Sequence, residues 1–170
     1  EAEMCGNGAR CSVHFAYYHL KMKESKHFTF ETMNGVYEGE VVEADEVRVK
    51  MTELYDVNAI NISDLSGKRA MYLNTGVPHA VVQVSSVEDV RIKSIGSAIR
   101  NDVRFSDGTN VDFFEVIDPE NKTIKLRVYE RGVEDETLCC GTGVMATAVA
   151  CAKFFNWSGM INVYAKGGFL

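Results

Sequence analysis

Residues 127–152 read RVYERGVEDETLCCGTGVMATAVACA, and this stretch organises the rest of the chain. It begins with alternating apolar and polar residues, crosses a charged loop and two adjacent cysteines, passes through Gly-Thr-Gly, and continues as a run of small apolar residues. That order predicts strand, loop, glycine turn and the N-terminus of a buried helix. A thiol at a helix N-terminus sits in positive potential, which favours its thiolate. Glycines bare the backbone N–H groups there, so an anion can dock beside the sulfur. The chain opens with the same device. Met4-Cys5-Gly6-Asn7-Gly8-Ala9-Arg10 aligns in register with Cys139-Cys140-Gly141-Thr142-Gly143-Val144-Met145.

The composition restricts the function classes. The 170 residues carry 24 acidic and 18 basic side chains, a net charge of −6, which gives no electrostatic case for nucleic acid or an anionic membrane. No apolar run reaches the roughly 18–20 residues of a membrane span, and the N-terminus has no signal-peptide pattern. Five cysteines, an odd number without C-x-x-C spacing, predict free thiols in a reducing cytoplasm and no metal site.

Outward from the organising stretch, the pattern predicts an α+β chain. A helix runs from Asn7 towards Lys23, with Ala9, Val13, Ala16, Tyr17 and Leu20 as its buried stripe. Strands follow at His27–Thr32, Val36–Val42 and Val47–Met51, with Asn34-Gly35 as a hairpin turn. Thr52–Gly67 is polar and weakly patterned and reads as the boundary between units 1–52 and 53–170. Beyond it come strands at Arg69–Leu73 and Ala80–Val84, a helix over Val87–Arg100, a hairpin of Asn110–Ile117 with Thr123–Tyr129, the helix from Gly141 to about Phe154, and a strand at Met160–Ala165. The expected architecture is two pseudo-symmetric halves, each a mainly antiparallel sheet around a central buried helix, with Cys5 and Cys140 facing one another. Cys11 and Cys151, inside helices, are expected to be buried and inert. Cys139 is expected to face the core, leaving Cys140 as the functional thiol.

Two matched thiols admit three chemistries. A redox dithiol ordinarily uses a short C-x-x-C, which is absent. A cysteine hydrolase needs one Cys and one His, which leaves a second matched Cys surplus. Two-base proton transfer uses both: one thiolate removes a proton from a carbon and the other thiol returns one to the opposite face.

The motifs EAEMCGNGAR, NTGVPH, GTNVDFFEV, RVYERG and CCGTG, in this order, resemble the diaminopimelate epimerases. The resemblance implies interconversion of LL- and meso-diaminopimelate in lysine and peptidoglycan precursor biosynthesis, without pyridoxal phosphate or metal, by a cytoplasmic homodimer. It implies Cys5 and Cys140 as acid/base thiols. Gly6, Asn7, Gly141 and Thr142 would cradle the α-carboxylate, and Asn110 and Arg131 would hold the distal head of the substrate. Glu130 would bind the reacting ammonium and, with His79, set thiol protonation. Val77 departs from the Gly-Asn-Pro-His of the family, and Asn74 is a candidate replacement. The family pattern begins earlier and continues past Leu170, so partial domains at both ends, and weak or no activity for these residues alone, are also expected. The alternatives are a proline- or hydroxyproline-type racemase of the same fold, which lacks a distal carboxylate for Arg131 to grip, and an inactive binding or oligomerisation remnant.

Overall fold

The computed structural model describes residues 5–32, 35–44, 46–51, 53–60 and 69–170. The chain divides into two compact units, Glu1–Glu53 and Leu54–Leu170.

In the first unit, helix α1 (Gly6–Tyr18) lies on a meander of β1 (His27–Thr32), β2 (Gly35–Glu43) and β3 (Glu46–Lys50), paired antiparallel in that order. Ala9 and Val13 of α1 and Tyr37 and Val41 of β2 form its buried centre. The absent side chain of Gly39 lets the helix seat, because a Cβ there would strike Val13 Cγ2. The helix is shorter than its apolar spacing predicts. Lys21 takes a positive φ of 57°, Met22 N–H bonds back to Ala16 C=O, and Leu20 is exposed. Gly35 opens β2 at φ 109°, a region glycine favours; the Asn34 half of that turn signal lies outside the described residues.

The second unit is built on one mixed sheet of eight strands among the described residues. They are β4 (Tyr55–Ile60), β5 (Ala70–Asn74), β6 (Pro78–Gln83), β7 (Asn110–Asp118), β8 (Thr123–Glu130), β9 (Asp135–Thr137), β10 (Asn162–Ala165) and β11 (Gly168–Phe169). The order is β11-β10-β8-β7-β6-β5-β4, with β9 also paired to β8. Most neighbours are antiparallel. Two pairs, β6 with β7 and β8 with β10, are parallel and are joined through α2 (Ile92–Arg100) and α3 (Gly141–Phe155).

Alternation along the strands assigns the two faces. Ala80, Val82, Val111, Phe113 and Tyr129 join Ile92 and Ile99 of α2. Val81, Phe114, Leu126 and Val128 join Ala146, Ala150 and Cys151 of α3. Every residue from Gly141 to Ala152 is buried or half-buried, as its continuous apolar run predicts. The charged positions of α2 instead limit its contact to one stripe, and it begins at Ile92. Before it, Val87 and Val90 make a turn fixed by a Val87 N–H bond of 2.7 Å to the Glu115 carboxylate.

Two strands depart from the sequence expectation. β4 lies in the polar segment read as a crossing, and pairs with β5 by its backbone while its side chains stay exposed up to Ala59, Ile60 alone packing against the α2-side core. β9 is three residues long and pairs with β8 across the Arg131–Glu134 turn. Among the described residues each unit has a sheet and at least one helix, the first unit being the smaller, with three strands and α1 against eight strands with α2 and α3 in the second. The overall class is α+β.

Candidate functional site

Both motif cysteines are helix N-caps. Cys5 precedes α1 at φ −136°, ψ 102°, and Cys140 precedes α3 at φ −116°, ψ 111°. Each carbonyl accepts the first helical bond at 2.9 Å, from Ala9 N–H and Val144 N–H respectively. The matched sequence therefore encodes a matched backbone.

The surroundings differ. Cys5 is exposed, and its Sγ accepts the Gly8 N–H at 3.3 Å. Gly6 is buried, and the exposed Asn7 accepts a bond from the Arg10 guanidinium through Oδ1. Cys140 is buried and belongs to the apolar cluster beneath α3. Burial, followed by the negative charges of Asp112 and Glu130, pushes its thiol up to about 12, against the opposing pull of the Thr142 hydroxyl and the Gly143 amide. At this enclosed position burial opposes the helix-end potential that favours a thiolate. Cys139, expected in the core, is half-buried, and Cys11, expected to be buried, is exposed on α1. Cys151 is buried as expected.

Around Cys140 four side chains make a continuous buried string. Cys140 Sγ lies 3.2 Å from Thr142 Oγ1, Thr142 Oγ1 lies 3.0 Å from His79 Nε2, and His79 Nδ1 lies 2.6 Å from Asp112 Oδ2. His79 and Asp112 are both fully buried. Strand geometry places them there. In the parallel β6–β7 register His79 sits opposite Asn110, so the next inward residue of β7 after Asn110 is Asp112, on the α3 face. His79 is thus a core residue of a strand, despite its position just after Pro78. The helix comes close enough because residue 143 is glycine. A Cβ there would overlap Asp112 Oδ1 and approach His79 Cε1 to 3.3 Å. Thr75 Oγ1 bonds the Thr142 carbonyl at 3.3 Å and steadies the same turn.

The remaining candidates sit at the strand ends nearby. Asn110 bridges backbone, donating to Pro78 C=O and accepting from Arg131 N–H, both at 2.9 Å. The Arg131 guanidinium bonds the Asp107 carbonyl at 3.1 Å. Glu130 is half-buried at the end of β8, and its charge reaches Cys140. Asn74 is the last residue of β5, and its Oδ1 accepts Gly76 N–H at 2.9 Å, while Val77 is buried. Cys5, Gly6 and Asn7 belong to the first unit; Cys140, His79, Glu130, Asn110, Arg131, Gly141 and Thr142 belong to the second. Asp112 was missed by sequence reasoning. Its signal is a carboxylate at an inward position of an otherwise apolar strand, where a charge needs a partner.

Among the described residues no group of three or more His, Cys, Asp or Glu could hold a metal ion, and no helix is long and apolar enough to cross a membrane.

The sequence profile of diaminopimelate epimerase matches residues 71–170. The chain belongs to the diaminopimelate epimerase family. Within that family it is 43% identical to the diaminopimelate epimerase of Aquifex aeolicus, over 98% of this chain and 60% of the relative. It is 36% identical to that of Chlorobaculum tepidum, over 97% and 63%. The chain therefore spans about three fifths of the length of these curated relatives. Solved structures share the family's fold at low identity. A PhzF-family phenazine biosynthesis protein of Bacillus anthracis gives a TM-score of 0.72 at 16% identity, over 99% of this chain and 67% of that one. A hydroxyproline epimerase of Agrobacterium vitis, with bound trans-4-hydroxy-L-proline, gives 0.73 at 16%, over 97% and 56%.

Proposed function

We propose that this chain forms the catalytic part of an isomerase that inverts the α-carbon of LL-diaminopimelate to give meso-diaminopimelate, by proton transfer between two thiols and without a cofactor. The supporting observation is that Cys5 and Cys140 are each the extended N-cap of a helix that begins Gly-x-Gly. In this reading one thiolate takes the α-proton and the opposing thiol donates to the other face. The bare N–H groups of Gly6, Asn7, Gly141 and Thr142 hold the α-carboxylate and stabilise carbanion charge as the proton leaves. The thiol of Cys140, held protonated by its burial, suits the donor role in one direction of the reaction, with Cys5 as the acceptor. Glu130 holds the reacting ammonium, and Asn110 and Arg131 take the distal head, the carboxylate pairing with the guanidinium fork. The same reading includes a cytoplasmic homodimer acting in lysine and peptidoglycan precursor synthesis.

The test is incubation of the protein with LL-diaminopimelate in heavy water. Deuterium should appear at the α-carbon together with the meso isomer. Cys5→Ser and Cys140→Ser should each abolish inversion. Inversion retained in either variant, or turnover of hydroxyproline and none of diaminopimelate, would refute the reading.

A further inference from the structure

The Asp112–His79–Thr142–Cys140 string has a direction set by chemistry. A carboxylate only accepts hydrogen bonds, so the 2.6 Å contact assigns the proton of a neutral His79 to Nδ1. Nε2 is then a lone pair, and at 3.0 Å it accepts the Thr142 hydroxyl proton. Thr142 Oγ1 has thereby used its proton and accepts the Cys140 S–H at 3.2 Å. Each link donates towards Asp112. Among the described residues Asp112 Oδ1 has no hydrogen-bond partner, so the bond that Asp112 makes to the string runs through Oδ2.

We infer that Thr142 relays a proton between Cys140 Sγ and His79 Nε2, and that Asp112 is the positioning residue that holds His79 in the receiving tautomer. To form the thiolate, the S–H proton moves to Thr142 Oγ1 while the hydroxyl proton moves to His79 Nε2. The products are Cys140 S⁻, an intact Thr142 hydroxyl and a His79 imidazolium paired with Asp112. The reverse transfer regenerates the thiol, and no outside reactant enters. A thiol in an enclosed site thus exchanges its proton internally, with no need for bulk water. The inference deepens the two-thiol reading and rests on it for its catalytic meaning, but its tests need no substrate. Failure of the epimerase assay alone therefore leaves the relay standing.

The ionisable groups around Cys140 are His79 on β6, Asp112 on β7 and Glu130 on β8. The first experiment is the imidazole ¹⁵N spectrum of the protein, with His79 assigned among the four histidines by its loss in His79→Gln. Neutral His79 should be protonated at Nδ1 and bare at Nε2, and Asp112→Ala should populate the opposite tautomer. The second is the rate of iodoacetamide labelling of Cys140 against pH, read by peptide mass, since the thiolate is the reacting species. Thr142→Val should slow labelling about tenfold or more between about pH 7 and 9, with His79 still in the Nδ1–H form, and Thr142→Ser should return it to within about threefold of wild type. A purely structural Thr142 would not produce that rescue in the pH profile. A protonated Nε2 in neutral wild-type His79, an unchanged tautomer in Asp112→Ala, or wild-type labelling by folded Thr142→Val would each overturn the relay. If Thr142→Val does not fold, wild-type tautomer and labelling in Asp112→Ala would overturn it equally.

Discussion

Replacing Gly143 by Ala separates local helix preference from the packing that assembles the site. In a helix interior, Ala is favoured over Gly by about 0.8–1 kcal/mol, and position 143 in the first turn of α3 retains part of that. Against it stands the added methyl, which would overlap Asp112 Oδ1 and press His79 Cε1 at 3.3 Å. Asp112 can turn away only by breaking its bond to His79, and an unpaired buried donor costs about 1–3 kcal/mol. Alternatively α3 lifts, loosening Ala146 and Ala150 from the sheet, at an overpacking cost of about 1–3 kcal/mol. The clash wins, and the net loss is about 1–2 kcal/mol. Tm shifts by about 4–8 °C per kcal/mol in domains of about 60–100 residues and by about 2–4 °C in larger ones. A fall of about 4–10 °C is expected, measured by thermal circular dichroism. Gly8 is the internal control. It occupies the same motif position, but among the described residues a Cβ there meets only Cys5, at 3.4 Å and beyond. Gly8→Ala should leave stability unchanged or raise it slightly. Equal behaviour of the two variants, or a higher Tm for Gly143→Ala, would refute the close-approach reasoning.

Other outcomes follow from the same packing. Glu136 accepts a two-pronged bond from Arg127, at 2.7 and 3.0 Å, and a third from Lys166, and these cations hold its carboxyl below the usual 4.5. Its contribution is full above that value and is lost as pH falls through the lowered one. Glu136→Gln should therefore cost about 1.5–3 kcal/mol at pH 7, and urea titrations should show the gap closing below about pH 4. Gly96→Ala should destabilise the protein by about 1–3 kcal/mol in urea, because a Cβ would run into Tyr129 Cβ at 2.6 Å and its ring at 2.7–2.9 Å; a neutral result would mean that α2 shifts freely on the sheet. Cys151 should resist a maleimide in the native protein and label only across the unfolding transition; native labelling would contradict its burial between α3 and the sheet.

Periodicity carried most of the fold. β7 and β8 are legible because inward apolar residues alternate over eight or nine positions, and α3 because its small residues leave no polar face. β4 was illegible: residues 55–59 expose both sides and only Ile60 reaches the core, so its strand character lies in backbone pairing with β5. The apolar residues beyond Tyr18 continue the helical spacing, yet local backbone bonds around Lys21 end the helix first. At the site, the repeated Cys-Gly-x-Gly identified both caps, but not the burial that raises the Cys140 thiol. A helix-end position is visible in sequence, whereas the depth at which the sheet encloses it is not. Asp112 was unreadable as a partner of His79 because the two meet through strand register, 33 positions apart.

The two parallel crossovers have a kinetic consequence. His79 and Asp112 face one another only after the chain has passed through α2 and returned as β7, and Cys140 reaches them only when α3 docks and β10 pairs with β8. Such non-local pairings pay loop-closure entropy before they are rewarded, and they form slowly. Throughout that interval Cys140 is an ordinary solvent-exposed thiol, more open to oxidants than in the finished fold, where it is buried. Slow refolding under oxidising conditions should therefore leave Cys140 oxidised in a larger fraction of molecules, read by peptide mass, whereas refolding in excess reductant keeps it a free thiol.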